Sequence, residues 1–210
     1  MKATFIAAAL ILVGSISVQA QNSSNGTGKI GKLTVAAFNS INKNGNKMVS
    51  AIKPTSAPLT DADQQLLMQV AAGGQRQLAL SQALLDKVSS RHVKLLAASE
   101  VEEQTNVSAK LQEIATAKGV TLPSGPDADA QGLVSKCQDL TGADADIYYL
   151  NESGIKGHEL LQSTMQKVSK SAKDPALKKL ATATLPVIRT HLTVSKDVRA
   201  LAKAGATASK

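Results

Sequence analysis

Few residues in this chain of 210 have side chains and spacing suited to chemistry: Glu100, Glu103 and Gln104 in one stretch, His158 in a second and His191 in a third. Glu100 and Gln104 are four apart and fall on or beside an apolar stripe through Val93, Ala97, Val101, Leu111 and Ala115, so in a helix both point towards the core. His158 shares a stripe with Ile147, Ile155, Leu161, Met165 and Val168, and His191 stands three after Ile188 and four before Ser195. Three helices can therefore place one carboxylate, one amide and two imidazoles in a common layer.

Two readings of that layer follow. Buried polar groups require partners, so a hydrogen-bonded layer that fixes helix register explains these residues without a ligand. The sharper reading is a transition-metal site, because inward Glu and His side chains from facing helices bind metals in bundles; the candidate ligands are His158, His191, Glu100 and Glu103. A di-iron carboxylate site needs Glu-x-x-His on two helices, and the sequence has none. Glu100 and Glu103 share roughly one side of a helix, yet Glu102, Glu103 and Glu113 read equally as a solvated acidic face. His92, in the first turn of its helix, is assigned no role, and the lone Cys137 reads as a small core residue. Gly-x-Ser-x-Gly, a phosphate loop, paired cysteines and His-Glu-x-x-His are all absent, so nothing positive supports catalysis.

The elements that must position these residues are helices. The apolar share is mostly Ala, Leu and Val with no Trp, which suits close helix packing. Thr60-Asp61-Ala62-Asp63 resembles a capping box and opens a helix over 61–88, whose face carries Leu67, Val70, Ala71, Gly74, Leu78, Ser81, Leu85 and Val88. A second helix is expected over 91–118 with Gly119 as its stop, a short one over 130–140 after the Thr121-to-Asp129 loop, and a third long one over 144–172. Asp174-Pro175 then supplies a cap and a first helical residue for a fourth, running to about 202 with a kink near Pro186. Four long amphipathic helices with short connections make an all-α, antiparallel four-helix bundle over residues 60–204, with 205–210 as a tail.

Before the bundle, residues 1–20 read as a secretory signal peptide: Lys2, an apolar run from Phe5 to Val18, and a Val18-Gln19-Ala20 cleavage site. That run is too short for the roughly 20 residues of a spanning helix, no later stretch qualifies, and no cysteine follows the signal to carry lipid. A soluble periplasmic or otherwise exported protein is expected, not a lipoprotein. Residues 21–59, rich in Gly, Asn, Ser and Lys, read as a flexible basic linker with one weak helix around Ile30 to Ile41. With 24 Lys and Arg against 16 Asp and Glu, a weak attraction to anionic envelope surfaces is expected. Nucleic acid is a poor partner for scattered basic residues with almost no aromatic neighbours.

The stretch Thr184-Leu185-Pro186-Val187-Ile188-Arg189-Thr190-His191-Leu192 is similar to the Leu-Pro, five-on His-Leu element of the bacterial "domain of unknown function 4142" family. Leu96-Ala97 through Val101 to Leu111 resembles its second-helix segment, and Asp146-x-x-Tyr149-Leu150 with His158 its third, so the resemblance covers about Thr60 to Leu201. It implies an exported, ferritin-like helical protein of undetermined biochemical role. Two departures stand out. Where the family usually has an Asp-His pair, this chain has Glu103-Gln104, so only His158 and His191 carry over as the family's histidines. Tyr149 to His158 is about one residue longer than the usual pattern, from a bulge in that helix or a one-residue slip in the match.

Two functions remain open from the residues. One is a non-catalytic envelope module acting by binding, with another envelope protein as a candidate partner, or in a stress-related structural role; the other is a metal-binding or redox bundle using the inward His and Glu residues.

Overall fold

The computed structural model describes residues 28–208, with side chains to 204. The expected signal peptide, the first part of the expected linker and the last residues of the expected tail lie outside this range. Within it the chain is all-α apart from one short hairpin, β1 (Lys29–Ile30) and β2 (Leu33–Thr34), which turns at Gly31 with φ of 59°. The helices are α1 (Val35–Ser50), α2 (Asp61–Leu84), α3 (Arg91–Ala117), α4 (Ala128–Lys136), α5 (Gly142–Tyr149), α6 (His158–Ser171) and α7 (Pro175–Ala208), with a π-helical segment, Leu150–Gly157, joining α5 to α6. None of these helices is long and apolar enough to cross a membrane.

Local chemistry explains the boundaries. Thr60 Oγ1 accepts from Asp63 N at the start of α2, and Asp127 and Asp174 cap α4 and α7 by accepting from Ala130 N and from Ala176 N and Leu177 N. Ser90 gives α3 no side-chain cap; the Asp146 carboxylate accepts from Ser89 N and Ser90 N instead, so the cap comes from another element. Asp63 likewise reaches across to Lys173 N and Asp174 N rather than closing its own capping box. Gly119, at φ of 68°, ends α3 as expected. Pro186 lies inside α7, which stays helical on both sides and runs to Ala208, into the segment expected as a tail.

Helix α2 runs antiparallel to α3, with Gln77 against Glu100 and Gly74 against Gln104. The π segment with α6 runs antiparallel to α7, with Asn151 against Arg199, Gly154 against Ser195 and His158 against His191. Two apolar clusters fill the interior. One gathers Leu67, Leu111, Met165 and Leu177; the other gathers Phe38, Leu84, Leu96 and Tyr149. The polar layer expected from the sequence lies between them along the helices.

Residues 29–52 depart most from the sequence reading. Expected within a flexible linker, they form the hairpin and α1, which packs on α3 and α7. Thr34 Oγ1 caps α1 by accepting from Ala37 N, Phe38 and Ile30 have no exposure, and Gly45 lets the helix approach α7 where a Cβ would overlap Val187. Lys29, Lys32, Lys43, Lys47 and Lys53 all face solvent, so the composition that suggested a tether belongs to the outer face of a packed element. The linker's end is also held: Lys118, paired with Asp174, donates to the carbonyls of Thr55 and Ala57.

Two expected stripes differ in part. On α2 the expected face is buried at Leu67, Val70, Ala71, Gly74 and Ser81, but it is broader than expected: Leu66, Gln77, Leu80 and Leu84 are buried too, while Leu78 and Leu85 are half-buried, because this helix faces both α3 and α6. Ile147 is exposed and Ile155 half-buried; Ala145, Tyr149 and Leu150 take the inner positions, because the π segment shifts the face of everything before His158.

Phe38→Ala tests whether α1 is core. It is expected to cost about 3–5 kcal/mol in denaturant unfolding, as for other buried aromatics, whereas a loss below about 1 kcal/mol would mean that α1 contributes little to stability.

Candidate metal centre

Helix α3 carries Glu100, Glu103 and Gln104 at i, i+3 and i+4, so the three project from one face, and all are buried. Glu100 is the hub. Its Oε2 lies 2.9 Å from His158 Nε2 and 2.9 Å from His191 Nδ1. Its Oε1 accepts from Gln104 Nε2 at 3.0 Å and, more weakly, from Gln77 Nε2 at 3.4 Å. Glu100, His158 and His191 each offer an atom within 4.8 Å of the others, making them a three-residue group able to hold a metal ion.

The outer ring nitrogens fix the tautomers. His158 begins α6 directly after the π segment, and its Nδ1 lies 2.9 Å from the carbonyl oxygen of Ser153. A carbonyl only accepts, so Nδ1 carries the proton. His191 Nε2 lies 2.7 Å from Asn42 Oδ1, and the Asn42 amide is oriented by donation from its Nδ2 to Phe38 O. Nε2 of His191 is therefore the protonated nitrogen. Phe38 stacks on the His191 ring with centroids 5.2 Å apart. Both inner nitrogens consequently face the same carboxylate oxygen from fixed rings.

Electrostatics divide the four titratable groups. Burial pushes the Glu100 carboxyl up, but the charges and hydrogen bonds of His158 and His191 outweigh it and hold Glu100 well below the usual carboxylate range. Burial pulls His158 down, and the Glu100 charge and hydrogen bond overcome this, so His158 lies above its ordinary value. For His191 burial prevails and the ring is pulled down. Glu103 is pushed well above the carboxylate range, first by burial and then by the Glu100 charge. Burial and then the charge of Glu100 raise the nearby Tyr149 hydroxyl as well.

The sequence named four candidate ligands, and the structure brings three of them into contact. Glu103 is buried, not part of the solvated face that Glu102 and Glu113 form, but its nearest approach is 3.6 Å, from Oε2 to His191 Nδ1. Neither Glu103 oxygen has a hydrogen-bond partner. Gln104 acts as a donor that orients Glu100. His92 is half-buried and away from the cluster, and Cys137 is buried in the apolar cluster around Phe38. Two residues escaped the sequence reading. Gln77, which also contacts Ser153 O and His158 Nδ1, was legible as the residue three after Gly74 and four before Ser81 on the named face. Asn42 gave no signal, because it sat in the stretch assigned to the linker.

Fold and site together define an all-helical protein with a buried two-histidine, one-carboxylate cluster. The chain belongs to the family described as Domain of unknown function (DUF4142), whose model matches residues 49–198. No curated protein and no solved structure matches it. Most of α1, including Phe38 and Asn42, precedes the matched residues.

Glu103 supplies a pH test, in a neighbourhood whose other titratable groups are Glu100, His158, His191 and Tyr149. Its folded value lies above the unfolded value of about 4.3, so the stability of the neutral form is complete below that pH and is lost as pH rises through the folded value. Glu103→Gln removes this loss. In chelator, the variant's advantage in Tm is expected to grow between about pH 5 and pH 8, at about 2–4 °C per kcal/mol. An advantage that stays flat with pH would mean that Glu103 is ionised and stabilised in the fold.

Proposed function

We propose that this is an exported envelope protein whose α2, α3, α5 with α6, and α7 form a ferritin-like antiparallel four-helix bundle, with α1 added outside, around one transition-metal ion held by Glu100, His158 and His191. Glu103 is the nearest further ligand. The antiparallel contacts and short connections support the bundle, and the apolar run of residues 1–20 supports export.

The observation that carries the metal reading is the position of the ring protons. His191 keeps its proton on Nε2 for Asn42, so when neutral it turns a bare Nδ1 lone pair towards the carboxylate of Glu100 at 2.9 Å. Two acceptors at that distance repel, and the remedies are a second imidazolium beside His158 or a cation among the three. The separations suit a cation: metal–ligand distances near 2.0–2.1 Å give ligand-to-ligand edges of about 2.9–3.4 Å. Outer nitrogens held by Ser153 O and Asn42 Oδ1 are what oriented metal-binding histidines require. Two imidazoles and a carboxylate favour iron, zinc, copper or manganese over magnesium or calcium, and leave coordination positions open.

Elemental mass spectrometry of the full chain, expressed with residues 1–20 in place, tests the reading. About one equivalent of a transition metal is expected, absent from a His158→Ala/His191→Ala variant. Restoring the metal at about 100 times its dissociation constant should stabilise the wild type by about 2.7 kcal/mol. No metal in either protein, with the variant merely less stable, would leave a register-fixing polar layer in a non-catalytic module. Asn42→Leu, which frees the His191 ring, is expected to weaken the metal about 10–100-fold in competition with a chelator; unchanged affinity would remove Asn42 from the site.

A further inference from the structure

Positive charge is unevenly placed along the chain. Before Asp61 there are six Lys and no Asp or Glu, whereas from Asp61 onwards 18 Lys and Arg stand against 16 Asp and Glu; six of the eight excess charges thus come from the first 60 residues. Such asymmetry between parts of a chain points to an anionic surface as partner. The fold places five of the six, Lys29, Lys32, Lys43, Lys47 and Lys53, on the hairpin, on α1 and just beyond it, all exposed.

Helix α1 orders this charge. It buries Val35, Phe38 and Val49 against the bundle, while Lys43 and Lys47, four apart, share its outer side, and Lys53 follows its end. Lys32 is paired with Asp197, but Lys29, Lys43, Lys47 and Lys53 have no carboxylate partner among the described residues. Glu102, the acid by which α3 reaches α1, accepts from Asn46 rather than from a lysine. Lysine is a hydrated point charge on a flexible stem, whereas recognition of one defined phosphate or carboxylate favours the planar fork of arginine. Unpaired lysines on the convex side of a helix therefore suit a broad sheet of anionic groups. Met48, beside Lys47, is 47% exposed. A large apolar side chain among lysines gains by entering the headgroup region of a bilayer, and gains nothing from a soluble polyanion.

We propose that the outer side of α1, with Lys43, Lys47, Met48 and the following Lys53, is a docking surface for an anionic lipid membrane, on which the protein lies peripherally. The proposal is independent of any metal. It gives α1 two working sides, since Asn42, which holds the outer nitrogen of His191, belongs to the same helix.

Co-sedimentation of the full chain with vesicles of phosphatidylglycerol and phosphatidylcholine tests it. Each lysine near an anionic bilayer strengthens binding about five-fold, so Lys43→Glu/Lys47→Glu/Lys53→Glu is expected to weaken it about 100-fold. Lys136→Glu/Lys167→Glu/Lys170→Glu has the same net charge, with its changes at exposed positions of α4 and α6, and is expected to lose less than about 10-fold. Met48→Ser is expected to weaken vesicle binding about five-fold, with binding to soluble polyphosphate unchanged. Equal losses in the two triple variants would show that net charge acts without a particular surface, and would overturn the proposal. Binding to phosphatidylcholine vesicles as strong as to the mixed ones, or binding to polyphosphate with none to vesicles, would overturn it as well. Should the α1 triple variant fail to fold, Lys47→Ala and Met48→Ser decide: vesicle binding unchanged in both would sink the proposal.

Discussion

A carboxylate with no exposure, as Glu100 has, loses the hydration that makes its charge tolerable, and the effective cost in proteins is several kcal/mol per ion. Partners offset that cost only with good geometry, and here they arrive from several helices at once. Gln77 comes from α2, Gln104 from α3 itself, His158 from the start of α6 and His191 from α7. Sliding any of these helices by one residue rotates its partner about 100° away and strands a buried charge. Apolar contacts on either side, in the clusters around Leu111 and Leu96, tolerate such a slide far better than the hydrogen bonds do. The carboxylate therefore specifies the register that the apolar clusters stabilise.

Helix α6 meets this requirement through an irregularity. The π segment Leu150–Gly157 inserts extra backbone length just before His158, and so lets Tyr149 and Leu150 face the core on one side of it while His158, Leu161 and Met165 face the core on the other. It also brings the Ser153 carbonyl to the outer nitrogen of His158. Close approach is part of the device: a Cβ at Gly157 would overlap the Gln77 side chain, and one at Gly154 would press on Ser195 Oγ. The π segment lies within the stretch from Tyr149 to His158, where a bulge was one of two readings of the spacing.

What the sequence made legible follows from what repeats along it. Caps at Thr60 and Asp174, the stop at Gly119 and much of the 3.6-residue striping were readable because each is a local signal, and Glu100, His158 and His191 stood out as polar residues within apolar stripes. Residues 29–52 were not readable as structure, because an average over Lys, Asn, Ser and Gly conceals the few apolar residues, Ile30, Val35, Phe38 and Val49, that α1 buries. Asn42 was lost with them. Ile147 was misplaced for a different reason: a stripe extrapolated at constant period cannot register a π segment. Glu103 was ambiguous from spacing alone, since positions 102, 103 and 113 differ only in which way the helix is rolled, and rolling is set by tertiary packing.

Charge explains why the fold need not depend on the ion proposed for it. Without metal, Glu100 and His158 are shifted towards their charged forms, and Glu103 and His191 towards their neutral ones, a distribution that favours a layer without net charge. A divalent cation that displaces one proton from His158 and one from Glu103 leaves two carboxylates, two neutral rings and two positive charges, again with no net charge. Either state avoids an uncompensated charge in a low-dielectric interior. Small zinc modules differ, since their ligands have no such alternative and the chain unfolds without the ion. Here the two apolar clusters hold the helices, and exchanging protons for the proposed metal would change the strength and polarity of the layer rather than its existence. The same exchange would convert Glu103 from a neutral group without hydrogen-bond partners into an anion 3.6 Å from His191 and facing the cation.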